Sequence, residues 1–431
     1  MISKFPYYQN CPVAEQIAII LHRIYSMKLT TSSGGNISIK DDDGSIWITP
    51  ASIDKSSLTK DDIVCIKADN SIIGQHKPSS ELPFHQAIYN SRTDISIILH
   101  AHPDPLVAFS ATGTTPKPEI ILAAKETCQS IGFVKYALPG STQLGQNIAD
   151  TFSKGFNTVL LENHGVVSIA CNIYDVLAQF ETLINVARIQ INATILNKNF
   201  PINTDYDKSF KKIPILSALQ KLTSDVTEPF DIENAPLLCN YLNRSYIQGL
   251  FTSSSGTIAI RTKNGYLITP EKFDRGSCFE SELVSIYDNK YRHGKEPSKL
   301  SAILISIFDS NPDINAIFFA QPPTLMGFNI SQTNFVSRII PEAYMFLRDV
   351  TSLEPDKLPS IAKYISASTP LVMLQNLGVF VTGKNLFQAF DRLELAEFTA
   401  KALFSAIQLG RVNSMSKEQI NELIKALDLP K

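Results

Sequence analysis

A chain of 431 residues exceeds what one hydrophobic core usually serves, so its length predicts two domains. It is 44% hydrophobic and 19% charged, with a formal net charge of −2, which argues against nucleic acid or a polybasic membrane contact as a partner. Residues 1–10 lack the apolar core of a secretory signal, no stretch reaches the ~18 apolar residues of a membrane helix, and Cys11, Cys65, Cys128, Cys171, Cys239 and Cys278 form no C-x-x-C; a cytoplasmic protein with free thiols is expected.

In chain order, the first informative segment is S-S-G-G-N-I-S at 32–38. Its Gly34-Gly35-Asn36 turn lets backbone amides approach an anion closely, and it is equally a good plain turn. I-T-P follows at 48–50, then P-S-S-E at 78–81, which opens a predicted helix S-S-E-L-P-F-H-Q-A-I-Y. There Glu81 suits the first turn, and Ser79 or Ser80 serves either as an N-cap or as part of an anion seat. His85, one turn further on, is expected only to pack or hydrogen-bond. Residues 94–99 read D-I-S-I-I-L, a β-branched strand ended by Pro103. His100 and His102 sit at its C-terminal end, two residues apart and therefore on one face, so that both can hold one ion. A second apolar strand at 158–161 runs into the polar break E-N-H-G at 162–165, which carries His164. One histidine beside an apolar strand is most often a hydrogen-bonded structural residue. Three imidazoles with a carboxylate or water in the remaining position instead make an open site for Zn²⁺ or another divalent first-row metal.

The chain also repeats itself at an offset near 220. T-S-S-G-G-N-I-S-I-K at 31–40 matches T-S-S-S-G-T-I-A-I-R at 252–261, and I-T-P recurs at 268–270. I-I-L-H-A-H-P at 97–103 matches A-I-F-F-A-Q-P at 316–322, and V-L-L-E-N-H-G at 159–165 matches V-M-L-Q-N-L-G at 372–378. Both copies close with a helix preceded by an N-capping asparagine, Asn172 and Asn385. The expected organisation is a metal-bearing domain over 1–205, a linker over 206–235 with a short helix near 215–222, and a degenerate domain over 236–431. In that second copy His100 becomes Phe319, His102 becomes Gln321, His164 becomes Leu377 and Glu81 becomes Leu300, so it cannot bind this metal. Glu271 and Lys272 follow its I-T-P, and the carboxylate argues against a second phosphate site.

Together these motifs resemble the class II aldolase/adducin family, over about residues 10–200. The resemblance implies an α/β fold of two tandem three-layer α/β/α domains, each with a central mixed, mostly antiparallel sheet. It also implies a zinc-dependent enzyme acting on a small sugar-phosphate substrate. Residue by residue, His100, His102 and His164 match the metal ligands, and Glu81 matches the acidic residue that ligates the metal or shuttles a proton. Gly35, Asn36, Ser79 and Ser80 match positions that hold the substrate and its phosphate. The implied reaction is reversible retro-aldol cleavage of a small ketose phosphate through a metal-stabilised enediolate, an aldehyde-lyase activity. A dehydratase or decarboxylase of the family uses the same metal and Glu, and remains open; the epimerase branch usually carries Asp where this chain has Glu81. A non-catalytic adducin-like assembly module is the alternative of another class, and the intact triad argues against it. One departure is that Ala51 and Ser52 follow I-T-P, where the family usually has Ser or Thr and then Gly. Family aldolases form a ring of four with a neighbour's tyrosine as proton donor. No tyrosine of the first copy is matched to that motif, which leaves Tyr344, in P-E-A-Y at 341–344, as the inter-domain candidate. The duplication implies a homodimer forming a pseudo-tetrameric ring.

Overall fold

The repeat in the sequence is a repeat of architecture. The computed structural model describes residues 5–201, 219–221, 233–291 and 296–427. The chain divides into two compact units, Met1–Pro118 with Ala124–Ala187, and Glu119–Ala123 with Arg188–Lys431.

In the first unit, strands β1 (Asn36–Lys40), β2 (Ile46–Ile48), β3 (Val64–Ile66), β4 (Ile72–Ile73), β5 (Ile97–Ala101), β6 (Ile131–Val134), β7 (Thr158–Leu161) and β8 (Gly165–Ala170) form one sheet in the order β4-β3-β2-β1-β5-β8-β7-β6. Every neighbouring pair is antiparallel except β6 with β7. The helices of this half of the chain are α1 (Val13–Ser26), α2 (Leu82–Ser91), α3 (Asp104–Ala111), α4 (Leu122–Cys128), α5 (Thr142–Phe152) and α6 (Ile173–Leu196). The period-two alternation of the strands sorts the core into two layers. Ile37, Ile39, Ile97 and Leu99 pack with Ile17, Ile20, Leu21 and Ile24 of α1 and with Phe180 and Leu183 of α6. Ile98, Val167 and Ile169 pack on the other face with Phe84 and Ile88 of α2 and Ile148 and Phe152 of α5. The i, i+3, i+4, i+7 spacing of the α1 set gives that helix its single apolar stripe. The result is the expected three-layer α/β/α arrangement.

The second unit repeats the sheet with strands β9 (Gln220–Lys221), β10 (Thr257–Arg261), β11 (Tyr266–Ile268), β12 (Val284–Tyr287), β13 (Lys290–Tyr291), β14 (Ala316–Ala320), β15 (Thr351–Leu353), β16 (Leu371–Leu374) and β17 (Gly378–Gly383), ordered β15-β16-β17-β14-β10-β11-β12-β13-β9. Its helices are α7 (Ala235–Ile247), α8 (Ser301–Ser310), α9 (Pro323–Ser331), α10 (Pro341–Leu347), α11 (Leu386–Gln408) and α12 (Lys417–Ala426). Between β15 and β16, where the first copy has α5, a 3-10 segment Pro355–Tyr364 containing Pro359 runs instead; an internal proline removes a donor and disfavours a regular α-helix. The capping asparagines act as expected: Asn172 Oδ1 accepts from Asp175 N–H at 2.8 Å, and Asn385 Oδ1 from Gln388 N–H at 2.9 Å. The helix expected near 215–222 lies mostly outside the described residues. Its described part is no helix, because Gln220–Lys221 pairs in parallel with Lys290–Tyr291 as β9. None of the six cysteines is joined in a disulfide. Among the described residues no helix is long and apolar enough to cross a membrane.

Candidate metal centre

Two paired strands and one turn bring the sequence motifs together. β1 and β5 pair with Asn36 opposite His100, which puts these two side chains on the sheet face covered by α2 and α5. β5 also pairs with β8, with His100 opposite Val167, so the turn between β7 and β8 delivers His164 to the same end of the sheet. That turn passes through Asn163 in the left-handed region (φ 54°), which Asn tolerates. At Gly165 a Cβ would stand 2.5 Å from the Ala101 carbonyl oxygen and 2.6 Å from the His102 ring. This close approach lets the His102 and His164 rings lie 5.0 Å apart, with His100 4.7 and 4.8 Å from them. Gly35 answers a similar constraint on the β1 side: its φ is +74°, and a Cβ would lie 2.7 Å from the His100 carbonyl oxygen.

His100, His102 and His164 each offer a nitrogen within 4.8 Å of the other two. His100 Nδ1 lies 2.9 Å from the Val166 carbonyl, an acceptor only, so the proton sits on Nδ1 and the Nε2 lone pair faces the cluster. His102 Nε2 is 3.0 Å from His100 Nε2. Two unprotonated nitrogens at that separation repel unless a proton or a cation lies between them. Burial, followed by the nearby His164, pushes His100 down to about 3; burial, followed by His100, does the same to His102. Both are therefore neutral at pH 7, the form that ligates a metal. Glu81 closes the group, with Oε2 3.3 Å from His100 Nε2 and Oε1 3.5 Å from His164 Nε2. Three imidazole nitrogens and one carboxylate fit a divalent first-row ion. Glu81 is the N-cap residue of α2, one position before the helical turn in which it was expected. Asn36 Nδ2 donates to its Oε2 at 2.6 Å.

Ser79 and Ser80 lead into Glu81, where their loop meets the segment after I-T-P. Pro50 bridges Pro78, and Ser79 N–H donates to the Thr49 carbonyl at 3.1 Å. The Ser79 hydroxyl accepts from Glu81 N–H at 3.2 Å. The second copy repeats the bridge with Pro270 and Pro297, and there Glu271 Oε2 accepts from Lys299 N–H at 2.8 Å. Lys299 corresponds to Ser80 and Glu271 to Ala51. A carboxylate of the chain therefore fills in copy two the position that Ala51 leaves open in copy one, where the Ser80 amide has no protein acceptor among the described residues.

Three contributors were not read from the sequence. Lys55, 2% exposed, donates to the Pro50 carbonyl at 3.2 Å, and burial pushes its ammonium down. Arg275 replaces it in copy two and bonds the carbonyls of Gly256, Phe273 and Glu271, so a buried cation pins this loop in both copies. Glu162, beside His164, accepts from Tyr136 N–H and Lys135 Nζ, both at 2.9 Å, and the Tyr136 side chain is exposed. His85 is hydrogen-bonded and is no fourth ligand: its Nε2 faces Asn36 Oδ1 at 2.5 Å and its Nδ1 faces Ser38 Oγ at 2.7 Å. Tyr344 belongs to α10 of the second unit, buried, with its ring centre 5.5 and 5.7 Å from the Arg338 and Arg348 guanidiniums.

The second copy keeps the frame and fills the site with hydrocarbon. Thr257 stands opposite Phe319, as Asn36 stands opposite His100. Phe319 and Leu377 join the core cluster, with Leu300 packed against it, and Gln321 donates to the Leu377 carbonyl at 2.7 Å. None of these side chains is a zinc ligand of ordinary kind.

Comparison with known proteins places this fold and its cluster of three histidines and a glutamate in a family. The family model described as Class II Aldolase and Adducin N-terminal domain matches residues 15–191 and again 237–404. The chain belongs to the class II aldolase and adducin family, as a tandem duplication with a degenerate second copy. It is 33% identical over 175 residues to an L-fuculose phosphate aldolase of Methanococcus maripaludis, covering 39% of this chain and 91% of that protein. It is 31% identical over 164 residues to a 5-deoxy-D-ribulose 1-phosphate aldolase of Bacillus thuringiensis, covering 37% and 75%. A solved L-fuculose 1-phosphate aldolase is 26% identical at a TM-score of 0.40, covering 47% of this chain and 98% of that one.

Proposed function

We propose that the chain is a metal-dependent aldehyde-lyase that cleaves a small ketose phosphate by a reversible retro-aldol reaction. The observation that carries this reading is the Glu81 carboxylate, held by Asn36 against His100 and His164 at the open end of the sheet. A zinc or other divalent first-row ion on His100, His102 and His164 would supply Lewis-acid polarisation of the substrate's carbonyl and adjacent hydroxyl. Glu81 moves the proton: the carbon–carbon bond breaks as the hydroxyl proton leaves, giving an aldehyde and an enediolate, and a proton returns to carbon to give a ketone phosphate. The Ser80 amide, the Ser79 hydroxyl and the Gly35-Asn36 turn would hold the phosphate, in the place where Glu271 puts a carboxylate in copy two. Phosphate held there supplies binding energy remote from the reacting carbons. The test is metal analysis of the purified protein together with a screen of phosphorylated and unphosphorylated ketoses for aldehyde release. Turnover of a phosphorylated ketose alone is expected. Equal rates on both forms would sink the phosphate assignment, and aldehyde release from neither by metal-replete protein would sink the lyase.

A further inference from the structure

We propose that His85, held by Ser38 and Tyr89, is a positioning residue that fixes the Asn36 amide and through it the Glu81 carboxylate; the inference rests on the proposed role of Glu81 in proton transfer. Glu81, His85 and Tyr89 are spaced i, i+4, i+8 and share one face of the α2 segment, while Asn36 and Ser38 share one face of β1. The two rows interlock. Asn36 bridges Glu81 and His85, and Ser38 bridges His85 at 2.7 Å and the Tyr89 hydroxyl at 2.9 Å. The Tyr89 hydroxyl also reaches the Ser38 and Ser96 carbonyls, at 3.0 and 3.1 Å.

One proton arrangement follows from the Asn36 Nδ2 bond to Glu81. With Nδ2 on Glu81 Oε2, Asn36 turns Oδ1 toward His85. His85 must then carry its proton on Nε2 and accept on Nδ1, where the Ser38 hydroxyl donates. Burial keeps the ring neutral, as this tautomer requires. With His85 in this tautomer, a flipped Asn36 amide would set its oxygen against the carboxylate and its NH₂ against an N–H donor, so the histidine reinforces the amide orientation that Glu81 sets.

The second copy shows that the fold does not need this row. Ser38, His85 and Tyr89 correspond to Ala259, Leu304 and Phe308, all fully buried in the same layer of the same architecture. Glu81 is replaced by Leu300 in the same copy, so the polar row is present where the carboxylate is present and absent where it is absent. A purely structural set of hydrogen bonds has no reason to follow the carboxylate.

The experiment transplants the apolar set into the first copy of the full-length chain. His85→Leu, and the triple Ser38→Ala, His85→Leu, Tyr89→Phe, should remain folded with unchanged metal content. Their kcat for ketose-phosphate cleavage should fall about 10- to 100-fold with KM little changed, the signature of a lost transition-state interaction. His85→Gln keeps an N–H aimed at Asn36 and should recover much of that loss. A second readout needs no substrate: the Asn36 side-chain NH₂ resonance in ¹H–¹⁵N spectra should move in His85→Leu toward its position in Glu81→Gln, and stay near wild type in His85→Gln. If the Asn36 resonance is unmoved in His85→Leu, or if the Leu and Gln variants behave alike, the positioning role is overturned. A moved resonance in a protein that cleaves no ketose phosphate would support the positioning and overturn the lyase reading alone.

Discussion

His100 and His102, two neutral imidazoles whose Nε2 atoms face one another at 3.0 Å, suit a shared cation. His100 and His102 are held near a pKa of about 3, mainly by burial, against about 6.5 in an unfolded chain. The sign follows from linkage. Above pH 6.5 both states are neutral and nothing is gained or lost; below it the unfolded chain takes up protons that the folded chain refuses until about pH 3. The metal-free protein should therefore lose stability as pH falls from 6.5, by up to about 1.4 kcal/mol per pH unit per histidine. Thermal melts of metal-free protein between pH 7.5 and 5 would show this, and His102→Asn should flatten the slope. Substitution separates holding from chemistry: His102→Ala should lower metal occupancy sharply, as read by elemental analysis. Glu81→Gln should keep most of the metal and lower turnover by about 10²- to 10⁴-fold. An Ala variant with full occupancy would exclude His102 as a ligand.

At the scale of strands and loops, the two copies act as controls for each other. The Pro50–Pro78 and Pro270–Pro297 bridges set the same frame, and the side chain after the first proline of each pair differs: Ala51 in one, Glu271 in the other. Ala51→Glu should place a carboxylate on the Ser80 amide, as Glu271 does on Lys299 at 2.8 Å. KM for a phosphorylated ketose should then rise at least tenfold with metal content unchanged, and an unaltered KM would remove the Ser80 amide from the binding site. The comparison also explains what could be read from sequence. His100 and His102 were legible because a strand's period of two is short-range, and the E-N-H-G turn because it interrupts an apolar run. The row Glu81, His85, Tyr89 has a visible helical spacing, but its meaning depends on Asn36 and Ser38, some 45 to 51 residues distant in the chain and brought into register by β1. Lys55 lies in a polar stretch of the sequence, and only the tertiary fold buries it. The 3-10 segment that replaces α5 in copy two contains Pro359, a residue that disfavours a regular α-helix and is visible in the sequence.

At the scale of the whole molecule, the duplication keeps two sheets and one set of candidate ligands. The four ligand positions of copy two hold Leu300, Phe319, Gln321 and Leu377, in a core that hydrocarbon packing stabilises without any ion. Metal-replete protein should therefore carry one ion per 47.7 kDa chain; two tightly bound ions, or none, would contradict the assignment. The second copy keeps its strand register and its Asn385 helix cap without the candidate ligands. We propose that it serves assembly, two chains supplying the four domains of a ring, with the second copy taking the place of a neighbouring subunit. Sedimentation equilibrium should then give twice the chain mass. Residues 1–205 prepared alone should bind metal but show little turnover, and adding residues 236–431 in trans should restore part of it. A monomeric full-length protein, or a first copy fully active by itself, would leave the second copy without a part in the reaction and end the pseudo-tetramer.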